Sequence, residues 1–309
     1  MRFKLKWILF RLLFLLCLLI FACGRIPSFD GEGAFRYLEE QCNFGPRYPG
    51  SIGHEKVKDY LISELKSSGA ILDEQDFNFY DTEKETTLVL TNIIASFFPE
   101  KSRRILLAAH WDTRPFADRE PLVENRKKPI LGANDGASGV AVLLQLAKIL
   151  CKHNPKVGVD IVFFDGEDYG QEGKIDDYLL GSKYFAQHLR GSPRGFIPSG
   201  YQPQFGVVID MIGDADQQIY QERYSLEHSP EIIAKVWEKA KRLGFREFKP
   251  EVKYAIIDDH LPLISAGIKC IDIIDFDYPF WHTLQDTPDK CSSASLERVG
   301  TLLVYLIYK

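Results

Sequence analysis

Residues 137–164 read ASGVAVLLQLAKILCKHNPKVGVDIVFF, and the fold class turns on them. Val140, Val142, Leu143, Leu146, Ala147 and Leu150 recur with a helical period, which predicts a helix over 137–151. Val159 to Phe164 is then a short, nearly continuous apolar run, the pattern of a strand buried on both faces. Helix then buried strand is the unit of a parallel sheet. It repeats outward: apolar strands are expected at 105–109, 205–209 and 269–276, and helices at 33–43, 53–68, 178–190, 230–243 and 294–308. Gly69 and Gly244 are natural stops for two of these helices. Extended runs are expected at 71–79 and 87–97. The class is therefore α/β, a single domain with a central, mostly parallel mixed sheet and helices on both faces. No linker interrupts the chain after residue 30.

The unusual polar residues lie just beyond the carboxyl ends of these strands. His110-Trp111-Asp112 follows the first, Asp165-Gly166-Glu167-Asp168 the second, Asp210 the third, and Trp281-His282 comes shortly after the last. That edge of an open α/β sheet is where ligands bind. Asp135 sits in the turn Gly132-Ala133-Asn134-Asp135-Gly136, where glycines allow close backbone approach. Each has a plain alternative. Asp135 would serve as the cap of the helix at 137, Glu167-Asp168 as a solvated loop, and His110 and His282 as structural histidines. Asp210, ending a buried strand, needs a partner or a metal if ionised. Taken together, two imidazoles and several carboxylates are the nitrogen and oxygen donors that zinc accepts. A carboxylate beside the metal that does not bind it is a candidate general base, and Glu167 next to Asp168 offers that division. Spacing leaves the individual roles open.

The bulk numbers agree with an enzyme domain. The 309 residues are 45% hydrophobic and carry a net charge of −5, and no basic cluster beyond the N-terminus is long enough to track phosphates, so nucleic-acid binding is not expected. Residues 1–22 stand apart. Arg2, Lys4 and Lys6 precede an apolar run from Leu12 to Ala22, too short to span a bilayer, which reads as an export signal. It ends Ala22-Cys23-Gly24, resembling a bacterial lipoprotein cleavage site with Cys23 as the lipid-bearing residue; a plain secretory signal or an uncleaved anchor are the alternatives. Residues 23–32 would be a tether and 33–309 the catalytic domain, exported and held at a bacterial membrane, periplasmic or at the cell surface. Without residues 1–22, which hold four basic residues and no acidic one, the charge is −9. Cys42, Cys151, Cys270 and Cys291 show neither metal-ligand spacing nor a disulfide framework, so buried thiols are expected, with one disulfide open.

Four ordered motifs carry a family resemblance: Ala109 to Pro115 (AHWDTRP), Gly132 to Gly139 (GANDGASG), Phe164 to Gly170 (FDGEDYG) and Trp281-His282-Thr283. With Gly45 to Ser51 (GPRYPGS), they resemble the zinc-dependent exopeptidase superfamily over almost everything from residue 33 onward. Asp258-Asp259-His260-Leu261-Pro262, and Trp281 before His282, are most similar to the glutaminyl cyclases, in particular bacterial ones of the animal-like type. The resemblance implies one zinc held by Asp135, Asp168 and His282, with Glu167 as general acid and base. It implies Asp210 and Asp258 as acidic partners in proton transfer and Trp281 as a wall of the substrate pocket. Substrates would be peptides or proteins with N-terminal glutamine. Animal cyclases carry Glu at the position of Asp168, so here the carboxylate is about 1.5 Å shorter in reach. They also carry an aromatic just after Glu167, a place that Tyr169 or Phe116 would fill. Two rival readings follow from the same residues. An aminopeptidase would use His110 and Asp210 to hold a second zinc, and a surface binding protein would keep the scaffold without catalysis.

Overall fold

In the computed structural model, residues 26–171, 173–189 and 201–309 are described. The signal segment 1–22 and Cys23 lie outside them. The elements run α1 (Gly31–Asn43), α2 (Ile52–Ser67), β1 (Ile71–Asp81), β2 (Thr86–Phe97), β3 (Arg104–His110), α3 (Ala137–Lys152), β4 (Gly158–Phe164) and α4 (Leu180–His188). They continue β5 (Gly206–Asp210), β6 (Ile219–Glu222), α5 (Arg223–His228), α6 (Pro230–Leu243), β7 (Phe248–Tyr254), α7 (His260–Ser265), β8 (Cys270–Ile274) and α8 (Ser293–Tyr308). Every strand and helix expected from periodicity is present. β6, α5, β7 and α7 were not among them, and the helix expected over 178–190 begins at Leu180.

Six strands form one sheet in the order β1-β2-β4-β3-β5-β8. β4, β3, β5 and β8 run parallel to one another, β2 pairs antiparallel with β4, and β1 pairs antiparallel with β2 at the edge. β6 and β7 pair separately as a small parallel ribbon. The sheet is mixed and mostly parallel, as the alternation of buried strands and amphipathic helices requires.

Strand alternation sorts the core into two layers. Ile105, Leu107, Ala109, Ile161, Phe163, Val207 and Ile209 point to the side covered by α1, α2, α3, α6 and α8. Leu106, Ala108, Val162, Phe164 and Val208 point to the other, under Phe185 of α4 and Leu263 of α7. His110 and Asp210 continue the second register, so both emerge at the carboxyl edge on the same face.

The fold takes in residues ahead of 33, part of the segment read as a tether. Asp30 accepts from Gly33 N at 2.9 Å and caps α1. Phe29 is buried against Gly300 of α8, where a Cβ would meet the ring at 2.3 Å. The ends of α2 are as the sequence suggests: Ser51 caps it by accepting from His54 N, and Gly69 follows at φ 76. Among the described residues no helix is long and apolar enough to cross a membrane.

Candidate active site

Asp135 is not the cap of α3. Gly136 occupies that position at φ 92, and no side chain caps the helix. A Cβ at residue 136 would meet the Asp112 carbonyl oxygen at 2.4 Å, so only glycine lets this turn close on β3. The Asp135 carboxylate is thereby freed to face two imidazoles. Its Oδ1 is 3.2 Å from His110 Nε2 and its Oδ2 3.7 Å from His282 Nε2. Asp286 holds the turn from behind, accepting from Asn134 N at 2.8 Å, Asp135 N at 3.1 Å and the Tyr278 hydroxyl at 2.8 Å.

Glu167 and Asp168 are not a solvated loop. After β4 the chain turns at Gly166 (φ 71), and the buried Asp112 carboxylate accepts from both following amides, Glu167 N at 3.0 Å and Asp168 N at 3.2 Å. With the backbone pinned, the two side chains diverge. Asp168 Oδ1 lies 3.4 Å from His282 Nε2, and Glu167 Oε2 lies 3.9 Å from His110 Nδ1. The shorter Asp168 therefore still reaches the cluster. It is held there by Arg114, whose Nη1 donates to Asp168 Oδ1 at 2.8 Å.

Arg114 also organises His282. Its Nη2 donates to Asp118 Oδ2 at 2.6 Å and to the Tyr178 hydroxyl at 2.8 Å. Asp118 Oδ1 in turn sits 3.1 Å from His282 Nδ1. A carboxylate on one ring nitrogen leaves the other as the free ligand atom. His282 is itself in the left-handed region at φ 56, a costly conformation for a non-glycine residue that turns the ring inward.

Two ligand groups result, sharing Asp135: Asp135, Asp168 and His282, and His110, Asp135 and Asp210. His110 Nε2 is 3.1 Å from Asp210 Oδ1. Asp135 Oδ2 and Asp168 Oδ2 are buried without a hydrogen-bond partner, which is how metal-ligand atoms stand when only protein groups are counted. The donors and their crowding fit a divalent metal. Neither lone-histidine reading survives, since His110 and His282 both face this cluster.

Burial, opposed by His110 and reinforced by Asp168, Asp258 and Asp259, pushes the Glu167 carboxyl well above the usual carboxylate range. Asp258 is buried, its Oδ2 has no partner, and burial followed by the Asp210 charge raises it as well. Asp210 itself pairs with His110.

A cavity of about 500 Å3 opens beside His282, with Tyr178, Tyr254, Ile257, Phe276 and Trp281 among its walls. The Trp281 ring centroid is 4.0 Å from that of His282 and 5.0 Å from that of Phe276, and Trp281 lines this cavity. Tyr169 and Phe116 do not. Tyr169 packs with Phe77, Leu90 and Leu180 and donates to Asp81 Oδ2, while Phe116 lies with Arg126 and Gln171 in an adjoining cleft that shares Arg114 and Asp118 with this cavity. The aromatic surface comes instead from Tyr178, Tyr254 and Phe276, none of which the motifs flagged.

Other quoted residues prove structural. Arg47, fully buried, donates to the carbonyls of Trp111, Leu131 and Gly132 and ties the first loop to the site. Cys42, Cys270 and Cys291 are buried free thiols, but Cys151 is exposed on α3.

Comparison with known proteins follows this geometry. The model for "Peptidase family M28" matches residues 92–307. The glutaminyl cyclase of Bacteroides thetaiotaomicron, solved with N-acetylhistamine, is 38% identical, with a TM-score of 0.86 over 92% of this chain and 99% of that one. A Zn-dependent exopeptidase from Parabacteroides distasonis is 35% identical, with a TM-score of 0.87 over 92% of this chain and 100% of that one. The glutaminyl-peptide cyclotransferase-like protein of Bos taurus is 23% identical over 279 residues, 84% of this chain and 71% of its own. With its four motifs converged on one sheet edge, the chain belongs to peptidase family M28.

Proposed function

We infer that the protein is a glutaminyl-peptide cyclotransferase, closing N-terminal glutamine of peptides and proteins to pyroglutamate with release of ammonia. One observation carries the reading. Glu167, its proton affinity raised by burial, stands next to Asp168 of a ligand group it does not itself join, and His282 of that same group lines an aromatic cavity. The similarity to solved glutaminyl cyclases supports the same reaction.

Asp135, Asp168 and His282 would hold one zinc. Bound there, it supplies Lewis-acid polarisation of the glutamine side-chain carbonyl. The chain does the rest. Trp281, Tyr254 and Phe276 enclose the glutaminyl residue and exclude water, holding its α-amine close to its own side-chain amide carbon. The amine nitrogen attacks that carbon, a five-membered ring closes, and the carbon–nitrogen bond to the amide nitrogen breaks. Glu167 takes the proton from the amine and delivers it to the departing ammonia. Asp258 raises the proton affinity of Glu167 through its charge, and Asp210 raises that of Asp258. Asp112 keeps the base and the Asp168 ligand in fixed relation.

The assembled His110, Asp135 and Asp210 group favours a second reading, a dinuclear zinc aminopeptidase releasing N-terminal residues. The test is a glutaminyl dipeptide incubated with mature protein of counted metal content. Pyroglutamyl product and ammonia with about one zinc per chain, lost in Glu167→Gln, supports the cyclase. Free glutamine with about two zinc per chain overturns it. Neither product, with no metal retained, would leave a binding protein on this scaffold.

We also propose that the chain is exported and anchored through a lipid on Cys23, at the periplasmic or outer face of a bacterial membrane. The basic start, the short apolar run and Ala22-Cys23-Gly24 support this.

A further inference from the structure

The cavity beside His282 has mostly aromatic and aliphatic walls, yet Arg114, Asp118, Arg119 and His282 also line it. Three of these four are committed to one another. Arg114 donates to Asp168, Asp118 and Tyr178, and Asp118 Oδ1 faces His282 Nδ1 at 3.1 Å. Arg119 is the exception. Only its backbone is tied down, Arg119 N donating to the His282 carbonyl at 3.2 Å. Among the described residues its guanidinium has neither a hydrogen bond nor an ion pair, and it lies over Trp281, 5.0 Å from the ring centroid. An aromatic face steadies a cation without neutralising it. Exposure rises from buried His282 through half-buried Trp281 to exposed Arg119, which places the free charge at the mouth of the cavity.

The same sign continues outward. Arg126 lies in the adjoining cleft, its Nε donating to the Glu120 carbonyl at 2.7 Å and both Nη groups without a partner among the described residues. Glu120 is no counterweight, because it is buried and accepts from Leu284 N at 2.9 Å. Residues 119–128 hold four basic residues and two acidic ones, in a chain whose balance without residues 1–22 is −9. A positive rim on an otherwise acidic protein draws anions to that one place.

A substrate seated for cyclisation meets this rim. With the glutamine side chain directed at the ligand group and its α-amine at Glu167, the residues that follow leave through the mouth, where Arg119 stands. Resting on the cyclase reading, we propose that Arg119 determines specificity, selecting peptides in which an acidic side chain directly follows the N-terminal glutamine. The incoming carboxylate takes guanidinium donors that no described protein group occupies, in the two-pronged manner arginine favours. It takes no part in the bond changes and acts only on how well the glutamine is held.

The test uses three C-terminally amidated tetrapeptides, Gln-Glu-Ala-Ala, Gln-Ala-Ala-Ala and Gln-Lys-Ala-Ala, with the mature protein. Amidation removes the terminal carboxylate, which would offer all three the same anion. In the wild type kcat/KM for the glutamate peptide is expected to exceed that for the alanine peptide by about two- to fivefold at low salt, with the lysine peptide lowest. The advantage should shrink in ~0.5 M salt. Arg119→Gln should flatten the ranking, and Arg119→Glu should invert it in favour of lysine. Ratios are taken within each enzyme, so a general loss of activity cancels, and a packing role alone would not invert a preference. No ranking in the wild type, or the same ranking in both variants, overturns the proposal while leaving the cyclase reading intact. Pyroglutamyl product from none of the peptides would sink the cyclase reading itself, and this inference with it.

Discussion

Asp118 Oδ1 stands 3.1 Å from His282 Nδ1, on the far side of the ring from the ligand cluster. The contact fixes which nitrogen is free and aims it between Asp135 and Asp168. Partners of this kind contribute about 10- to 100-fold to metal affinity. Asp118→Ala is therefore expected to weaken zinc binding by a factor in that range, read by competition with a chromogenic chelator. Unchanged affinity would show that Arg114 and backbone geometry orient the imidazole unaided.

Asp112 carries the next expectation. Its two oxygens serve two adjacent amides, and an asparagine can serve only one while opposing a donor to the other. Asp112→Asn should destabilise the fold by about 1–3 kcal/mol. It should also lower kcat more than it raises KM, because the base is displaced while the cavity walls stay. Urea melts and steady-state kinetics check the two halves separately.

Gly136→Ala should be among the most damaging small substitutions in the chain. The φ of 92 is unfavourable for alanine, and the new methyl would press on the Asp112 carbonyl. A loss of at least ~2 kcal/mol is expected, with reduced metal content, since the turn that aims Asp135 must shift. Calorimetry and elemental analysis would read both.

Asp275 gives a pH dependence away from the ligand cluster. Burial raises its carboxyl to about 7, despite donors from Gln218 N and Asp277 N. The folded state thus holds its proton to higher pH than the unfolded state, where about 4 is ordinary. Its contribution is greatest below pH 4 and declines as pH rises through 7. Whatever the fixed cost of Asp275→Asn, the stability gap between variant and wild type should move in the variant's favour from pH 5 to pH 8. Parallel unfolding curves across that window would contradict the raised value.

Export makes its own prediction. Cys23→Ser should abolish incorporation of labelled fatty acid and release the protein from the membrane fraction. Membrane association that persists without any label would point to an uncleaved anchor.

The candidate ligand positions were legible because apolar strands announce where they end, and His110, Asp210 and the Glu167-Asp168 pair sit at those ends. The roles of Asp112, Asp118 and Asp286 were not, though these residues set the geometry. A carboxylate that accepts from an amide 55 residues away, as Asp112 does from Glu167, leaves no periodic trace. The same holds for the pairing of Asp118 with His282 across 164 residues. The missed elements have a similar reason. β6 is four residues long, β7 (FKPEVKY) is mostly exposed and contains proline, and α7 spans six residues with Pro262 inside. β6 and α7 are too short for a period to appear, and β7 has no buried face to show one.

The stretch from Asp112 to Asp118 touches the base, one ligand carboxylate and the ligand imidazole through three of its side chains. In engineering terms it is a jig rather than three independent fixings. A small drift of this stretch carries Glu167, Asp168 and His282 together and leaves their mutual spacing intact. At the rim of the cavity Ile175 and Ile257 are exposed. Substrate preference can therefore be retuned at the rim by ordinary surface substitution, while the reacting geometry is inherited as one block.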